Sequence, residues 1–331
     1  MTISIIIAVK TWQNNLEECV DRCQGLDYPD FEILILPDSH PFSEELFGQD
    51  KTSSASNRKN APQIIPTGPL TPARKRDMAL DHARGQILAF IDDDAYPRRD
   101  WLKNAIEIFA DDDVAAVCGP AITPRSDNLR QKASGIIYSS YLVSAKFSYR
   151  YLAKTRREVD DYPSCNFLVR KAIMQELGGF NTDFWPGEDT KLCLEITKRL
   201  SKKIIYDPEV LVYHHRRPVL IPHLRQIASY ASHRGYFVKK YPQTSLRASY
   251  FIPSIFLLAI ASGMFLSIFF VLVRQIYFLG LFLYLFIVFI FSISNGLSLI
   301  LPVFSGIILT HFTYGIYFLK GLISKKLKEE L

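Results

Sequence analysis

The chain has 331 residues, 48% of them hydrophobic and 22% charged, with a formal net charge of +6. That length fits one large domain or two, and the positive balance comes without any nucleic-acid motif, which argues against a nucleic-acid partner. The cysteines (Cys19, Cys23, Cys118, Cys165 and Cys193) suit a reducing compartment, and Cys19 and Cys23, one helical turn apart with no His or Cys nearby, read as packing residues rather than zinc ligands.

Thr2 to Val9 is a β-branched run with no basic stretch before it, so it reads as a first strand and not a secretion signal. The soluble part is therefore expected to stay in the cytosol. A helix follows over 15–25, with Leu16, Cys19, Val20 and Cys23 on one face, then a strand over 31–36 ending at Pro37-Asp38-Ser39. This is a βαβ pattern and predicts a parallel sheet. Residues 49–62 are polar and read as a loop. A short strand at 64–66, a helix over 71–84 and a strand over 86–91 come next. Asp100 is placed to cap a helix over 100–109, and 114–119 is a further strand. Residues 127–158 are amphipathic and rich in aromatics. The pattern then gives a strand at 164–169, a helix at 171–177, a turn at Gly178-Gly179-Phe180, a helix at 189–200, and strands at 203–206 and 210–213. These lead into His214-His215-Arg216-Arg217-Pro218.

The strand over 86–91 runs straight into Asp92-Asp93-Asp94. Three adjacent carboxylates repel one another unless something positive joins them, and a hard divalent cation carrying substrate phosphates is the usual partner. Ligands in α/β proteins bind beyond the carboxyl ends of strands, which is where this triplet stands. An acidic turn before Pro97 is the plainer alternative.

Four features in this order resemble the family 2 glycosyltransferases: Ser4 to Val9 with the second strand ending at Asp38; Asp92-Asp93-Asp94; Gly178-Gly179-Phe180-Asn181 followed by Gly187-Glu188-Asp189; and Val212-Tyr213-His214-His215. The resemblance covers residues 2–218. It implies an α/β chain whose first part is a GT-A catalytic domain, Rossmann-like with a mostly parallel sheet, ahead of a helical membrane domain. It also implies a nucleotide-sugar donor held by Val9, Asp38, Arg74, Asp92 and Asp93. A divalent cation, Mn²⁺ or Mg²⁺, would sit on Asp92, Asp94 and His214, with His215 as the alternative imidazole. Asp189 is the expected catalytic base and Glu188 the second choice. Asn166, Trp185, His215, Arg216 and Arg217 are acceptor or phosphate candidates. Each residue has a plainer role open to it: Asp38 as a strand-end turn residue, the acidic pair as helix N-terminal charges, His214 as a packed imidazole, Trp185 as packing, and Arg216 and Arg217 as membrane-proximal charges. Lys75, Asp77 and Lys191 depart from the commoner family residues.

Between Arg247 and Lys320 the only formally charged residue is Arg274. Ser249–Val273, Ile276–Ile293 and Leu297–Leu319 are each long enough, or nearly so, to cross a ~30 Å hydrocarbon core. The expected division is a catalytic domain at 1–218, a basic amphipathic membrane-proximal segment at 219–248, two or three transmembrane helices within 249–319, and a basic tail at 320–331. His311, Tyr314 and Gly315 predict that the last apolar segment packs on the others. Basic flanks place the catalytic domain on the cytoplasmic face of a multi-pass cell-membrane protein. An active site at the bilayer surface suggests a polyprenyl-linked or other membrane acceptor, in cell-surface glycan or glycolipid assembly. A polyprenyl-phosphate sugar synthase shares the pattern. A metal-dependent phosphohydrolase and an inactive membrane scaffold are the remaining readings.

Overall fold

The computed structural model describes residues 1–39 and 60–330. The loop expected over 49–62 lies, up to residue 59, outside the described residues. In chain order the elements are β1 (Ile3–Ala8), α1 (Asn14–Gln24), β2 (Phe31–Leu36), β3 (Gln63–Ile64), α2 (Pro72–His82), β4 (Ile87–Asp92), β5 (Ala95–Pro97), α3 (Trp101–Ile108), β6 (Val114–Cys118) and β7 (Ala121–Ile122). Then follow α4 (Leu129–Ser139), α5 (Tyr141–Ser144), β8 (Arg157–Val159), β9 (Asn166–Arg170), α6 (Lys171–Leu177), α7 (Glu188–Leu194), β10 (Lys203–Tyr206) and β11 (Val212–His214). The chain ends with α8 (Ile221–Lys240), α9 (Pro242–Ser245), α10 (Ala248–Leu266), α11 (Val271–Ile293) and α12 (Ile300–Ile323). Two compact units result: Met1–Ile122 with Leu152–His214, and Thr123–Tyr151 with His215–Leu331.

The first unit is built on a sheet of order β3-β2-β1-β4-β9-β6-β10-β8. β1 runs parallel to β2 and β4, and β10 runs parallel to β6, whereas β9 is antiparallel to β4 and β6. Ile3, Ile5, Ile6 and Ile7 are all fully buried. A central parallel strand is covered on both faces, which explains consecutive apolar residues from Ile5 to Ala8 where a half-exposed strand would alternate; the one polar residue, Ser4, is buried and donates to Glu32 Oε1. Each buried Ile contributes about 1.5–3 kcal/mol of transfer free energy. α1 closes one face with Leu16, Cys19, Val20 and Cys23, the stripe its sequence spacing predicts. The register sets Ala8 of β1 level with Leu36 of β2 and Asp92 of β4. The carboxyl ends of three neighbouring strands therefore share one edge. A smaller sheet, β5-β11-β7, is made of strands that follow β4, β10 and β6 in the chain.

One local expectation is corrected. Asp100 precedes α3 but makes no side-chain capping bond. Its carboxylate accepts from Arg98 instead, Nε at 2.5 Å and Nη2 at 3.0 Å, because a charge-assisted bidentate pair outcompetes a backbone N–H. The helix expected over 189–200 is α7 continued by a π-helical turn, Glu195–Arg199.

In the second unit α4 packs with the long helices. Ala133 and Ile137 share a buried cluster with Val219, Val288, Val303 and Ile307. Residues 123–151 thus belong with the C-terminal helices because Ile137 needs an apolar partner there. α10, α11 and the stretch Leu297–Glu330 are long and apolar enough to cross a membrane. Most large side chains of α10 and α11 face outward, among them Ile252, Ile255, Phe278 and Phe282. α12 is more buried. His311 is hydrogen-bonded to Tyr284 Oη (3.0 Å) and Leu142 O (2.9 Å), and Gly315 lies against the Pro253 backbone. The last apolar segment therefore packs on its neighbours, as its polar residues suggested. α8 buries His223, Ile227, Ala231 and Gly235.

Candidate active site at the strand ends

β4 delivers Asp92 to the sheet edge, and the turn that follows carries Asp93 and Asp94. β11 pairs antiparallel with β5, His214 opposite Ala95. That register brings the imidazole beside the carboxylates: His214 Nε2 is 2.9 Å from Asp94 Oδ1. One ligand atom each from Asp92, Asp94 and His214 falls within 4.8 Å of the others. Two carboxylate oxygens and one imidazole nitrogen at that separation suit Mn²⁺ or Mg²⁺, cations that take oxygen-rich donor sets. Asp93 accepts a hydrogen bond from Gln13 Nε2. Burial, then the charges of Asp94 and Asp92, push its carboxyl up to about 7. Burial also pushes Asp92 up, and the Arg76 guanidinium offsets part of that rise.

α2 supplies two buried cations to this edge. Thr71 caps the helix by accepting from Arg74 N, and Pro72 opens its first turn. Lys75 and Arg76 then point inward with Ala73 and Ala79. Lys75 Nζ reaches Val9 O at 2.5 Å, Leu36 O at 3.2 Å and Asp38 Oδ1 at 2.5 Å. Val9 and Asp38 are thereby joined at the ends of β1 and β2. Arg76 spans two acids, with Nη2 2.8 Å from Asp92 Oδ1 and Nη1 3.0 Å from Glu188 Oε1. Its guanidinium also lies within 5.9 Å of the Phe90 ring centre and 5.7 Å of the Phe180 ring centre. Arg74, the residue of this segment expected at the nucleotide, is half-exposed and paired with Asp183 at 2.8 Å.

The acidic pair at the start of α7 divides by environment. Glu188 is 4% exposed, takes the bond from Arg76, and accepts from Gly187 N at 3.0 Å. Burial raises its pKa and Arg76 works against that. Asp189 is half-buried and accepts from Thr190 N at 2.7 Å. The departures at 77 and 191 have a common account. Asp77 accepts from Phe180 N (2.6 Å) and Asn181 N (3.1 Å), and Lys191 Nζ donates to Asn181 O at 2.5 Å. Both fix the turn at Gly178–Asn181. Gly179 has φ +83°, and an added Cβ there would sit 2.3 Å from Asp77 Oδ1, so only glycine fits.

The remaining candidates separate. Trp185 is exposed. Asn166 does not face outward as an acceptor candidate should. It is fully buried, donating to Gly119 O and Val210 O at 2.7 Å and accepting from Trp101 Nε1 at 2.9 Å. Its amide is consumed in joining β9 to the turns after β6 and before β11, a core role. His215, Arg216 and Arg217 belong to the second unit. There His215 Nδ1 is 2.5 Å from Asp127 Oδ1, the Arg216 guanidinium stands 5.1 Å from the Tyr151 ring centre and 5.7 Å from that of Tyr138, and Arg217 is exposed.

The model of glycosyl transferase family 2 matches residues 4–178. A pre-mycofactocin glycosyltransferase of Mycobacterium tuberculosis is 27% identical over 173 residues, 52% of this chain and 36% of that protein, so the chain spans only about a third of this relative's length. A Methanococcus voltae enzyme, dolichyl N-acetyl-alpha-D-glucosaminyl phosphate 3-beta-D-2,3-diacetamido-2,3-dideoxy-beta-D-glucuronosyltransferase, is 24% identical over 72% of this chain and 74% of its own. Among solved structures, the mannosyltransferase PcManGT from Pyrobaculum calidifontis, in complex with GDP-Man and Mn²⁺, superposes with a TM-score of 0.63. That likeness, at 18% identity over 98% of this chain and 88% of that one, is one of fold.

Proposed function

The chain belongs to glycosyl transferase family 2 and has the GT-A fold, and from that premise we propose that it is a membrane-anchored, inverting glycosyltransferase moving a sugar from a nucleotide-sugar donor to a lipid-linked acceptor. The observation that carries this reading is the meeting of Asp92, Asp94 and His214 at one sheet edge, with Arg76 tying Asp92 to Glu188. A divalent cation, held by those three side chains, would supply Lewis-acid stabilisation of the departing nucleoside diphosphate.

The chain's own residues do the rest. Asp38, held by Lys75 beside Val9, takes the base or ribose of the donor by hydrogen bonds. Asp189 removes the proton from the acceptor hydroxyl as that oxygen attacks the anomeric carbon, and the bond to the diphosphate breaks on the opposite face. Its partial exposure suits that role, because an acceptor can reach it. Glu188, buried and bonded to Arg76, orients the start of α7 and links the base side of the site to the diphosphate side.

The three apolar helices support a membrane-bound enzyme. The Methanococcus relative is named for a dolichyl phosphate-linked sugar acceptor, which favours a lipid-linked acceptor here too. On this reading the catalytic unit faces the cytoplasm, where nucleotide sugars are made, in assembly of a cell-surface glycan or glycolipid. The test is transfer by the purified full chain in detergent, screened over nucleotide sugars with Mn²⁺ or Mg²⁺ and a membrane-lipid extract. A lipid-soluble sugar product, lost in Asp94→Ala and Asp189→Asn, supports the proposal. Turnover only onto water-soluble acceptors would defeat the lipid assignment, and no turnover with any donor would defeat the enzyme.

A further inference from the structure

The second unit concentrates positive charge. Its acidic side chains are Asp127, Glu329 and Glu330, against basic residues spread from Arg125 to Lys328. Four of those cations gather on one aromatic pair. Phe147, in the 3-10 turn Ala145–Arg150, stacks on Tyr250 in the first turn of α10, ring centres 5.5 Å apart and planes 15° off parallel. The Arg150 guanidinium lies 5.0 Å from the Phe147 ring centre, Lys146 Nζ 5.4 Å and the Arg247 guanidinium 5.6 Å. The Arg234 guanidinium lies 4.9 Å from the Tyr250 ring centre.

Residues 146–150 thus share an aromatic pair with cations from 234 and 247, and like charges come together. Ring faces attract cations and offset part of the mutual repulsion. Two of the guanidinium groups are also held in place: Arg247 Nε donates to Thr244 O at 2.7 Å and Arg234 Nη1 to Ser245 Oγ at 3.3 Å. A preset group of forked donors is a receptor for a tetrahedral anion. Its position limits which anion. Arg247 and Tyr250 open the first apolar helix, and basic and aromatic residues at the end of a membrane helix lie at head-group depth. Ile252 and Ile255, one turn further on, are 60% and 61% exposed and offer an apolar track for a tail.

We infer that Lys146, Arg150, Arg234 and Arg247, arranged on Phe147 and Tyr250, bind the phosphate of a membrane lipid. The inference rests on the proposed membrane placement of α10 and is independent of the donor chemistry. The phosphate belongs either to a phospholipid head group or to a lipid-linked acceptor, and the same site chemistry serves both.

The test uses the full chain in detergent, titrated with dihexanoyl phosphatidic acid, a short-chain polyprenyl monophosphate and dihexanoyl phosphatidylcholine, with binding read by native mass spectrometry and by the shift in unfolding midpoint. The two phosphomonoesters should bind saturably and phosphatidylcholine should not. Arg247→Gln and Arg150→Gln should each weaken binding about tenfold, the loss of one charge-assisted contact. Arg274→Gln, on α11 and outside the cluster, should leave binding unchanged. Lys146→Gln, at an exposed position, gives a weakened variant even if an arginine variant folds poorly. Preference for the polyprenyl phosphate assigns the site to an acceptor, and equal binding assigns it to phospholipid head groups. Either result upholds a lipid-phosphate site. No saturable binding by the wild type, or equal affinity in wild type and the Lys146→Gln/Arg247→Gln double variant, overturns it. Donor hydrolysis on the same samples keeps the two proposals apart: lipid phosphate bound by a protein inert to every nucleotide sugar defeats the transferase and spares this site.

Discussion

Arg76 Nη1 donates to Glu188 Oε1 at 3.0 Å, joining α2 to α7 across 112 residues of sequence. Both side chains are almost fully buried. The other end of the same guanidinium holds Asp92. One cation therefore sets the spacing between the strand-end carboxylate and the acidic pair, and its loss leaves a buried charge without compensation.

Arg76→Met should lower stability by about 3–5 kcal/mol, the usual cost of breaking a buried pair by removing one partner. The Arg76→Met/Glu188→Gln double variant should recover part of that loss, since the orphaned carboxylate is gone. Chemical denaturation of the isolated proteins in detergent measures both. Equal stability of Arg76→Met and the wild type would rule out this account. Arg76→Lys, which keeps the charge but not the fork, should retain the fold and reduce turnover by about 10²-fold, the effect of a misplaced acidic pair.

The metal reading makes a separate demand. His214→Ala removes the one nitrogen donor from the group with Asp92 and Asp94. The Mn²⁺ concentration needed for half-maximal activity should rise by about tenfold, a loss near 1.4 kcal/mol of metal affinity. Asp94→Asn should raise it further, because a charged oxygen is lost. His215→Ala should leave the metal curve unchanged, since His215 bonds Asp127 in the other unit. An unchanged curve in His214→Ala, or a shifted one in His215→Ala, would reassign the ligand.

Much of this architecture is legible in the sequence. β1 reads as a strand because it is β-branched, the βαβ pattern makes its sheet parallel, and Asp92 to Asp94 stand out because clustered carboxylates need a countercharge. The three apolar helices follow from a stretch with Arg274 as its lone charge. Other features depend on which distant residues the sheet brings together. Asn166 looks like a polar strand-end residue, yet its amide is used entirely by Gly119, Val210 and Trp101, and only the pairing of β9 with β6 reveals it. In α2 the resemblance points to Arg74, which is exposed, whereas the buried pair is Lys75 and Arg76. A signal was present: Lys75 and Arg76 lie four and three residues before the buried Ala79, on the inward face of the helix. Glu188, Asp189 and their partners could not be separated from sequence, because adjacent helical residues point 100° apart and burial alone decides their roles.

Stability of the second unit should depend on pH through His223. Its ring is fully buried, with Nδ1 2.8 Å from Ser134 Oγ and Nε2 3.0 Å from Thr310 Oγ1. Burial, with a smaller push from Arg216, moves its pKa down to about 4. An unfolded histidine titrates near ~6.5, so between those values the unfolded chain binds more protons than the folded one. The contribution is fully present above about pH 6.5 and fades as pH falls toward 4, by up to about 3 kcal/mol. The unfolding midpoint in detergent should drop between pH 7 and pH 5 in the wild type, and less so in His223→Gln. Parallel pH profiles for the two proteins would show that His223 is not the source.

Two glycines let the backbones of α8 and α12 come close together. A Cβ on Gly235 would sit 2.1 Å from Phe318 O, and one on Gly321 would sit 1.9 Å from Ser232 O. Both contacts are to backbone, which cannot swing aside as a side chain would. Alanine favours a helix interior by about 0.5–1 kcal/mol over glycine. Forcing a methyl group into a filled contact costs about 1–3 kcal/mol. The clash should win, since two helix backbones must separate and lose the packing of small residues that holds membrane helices together. Gly321→Ala and Gly235→Ala should therefore each lower the midpoint of thermal unfolding. Gly280→Ala, on α11 with open space around it, should be neutral or slightly stabilising. If Gly321→Ala proved as stable as Gly280→Ala, the backbone contact between α8 and α12 would not be the close one described.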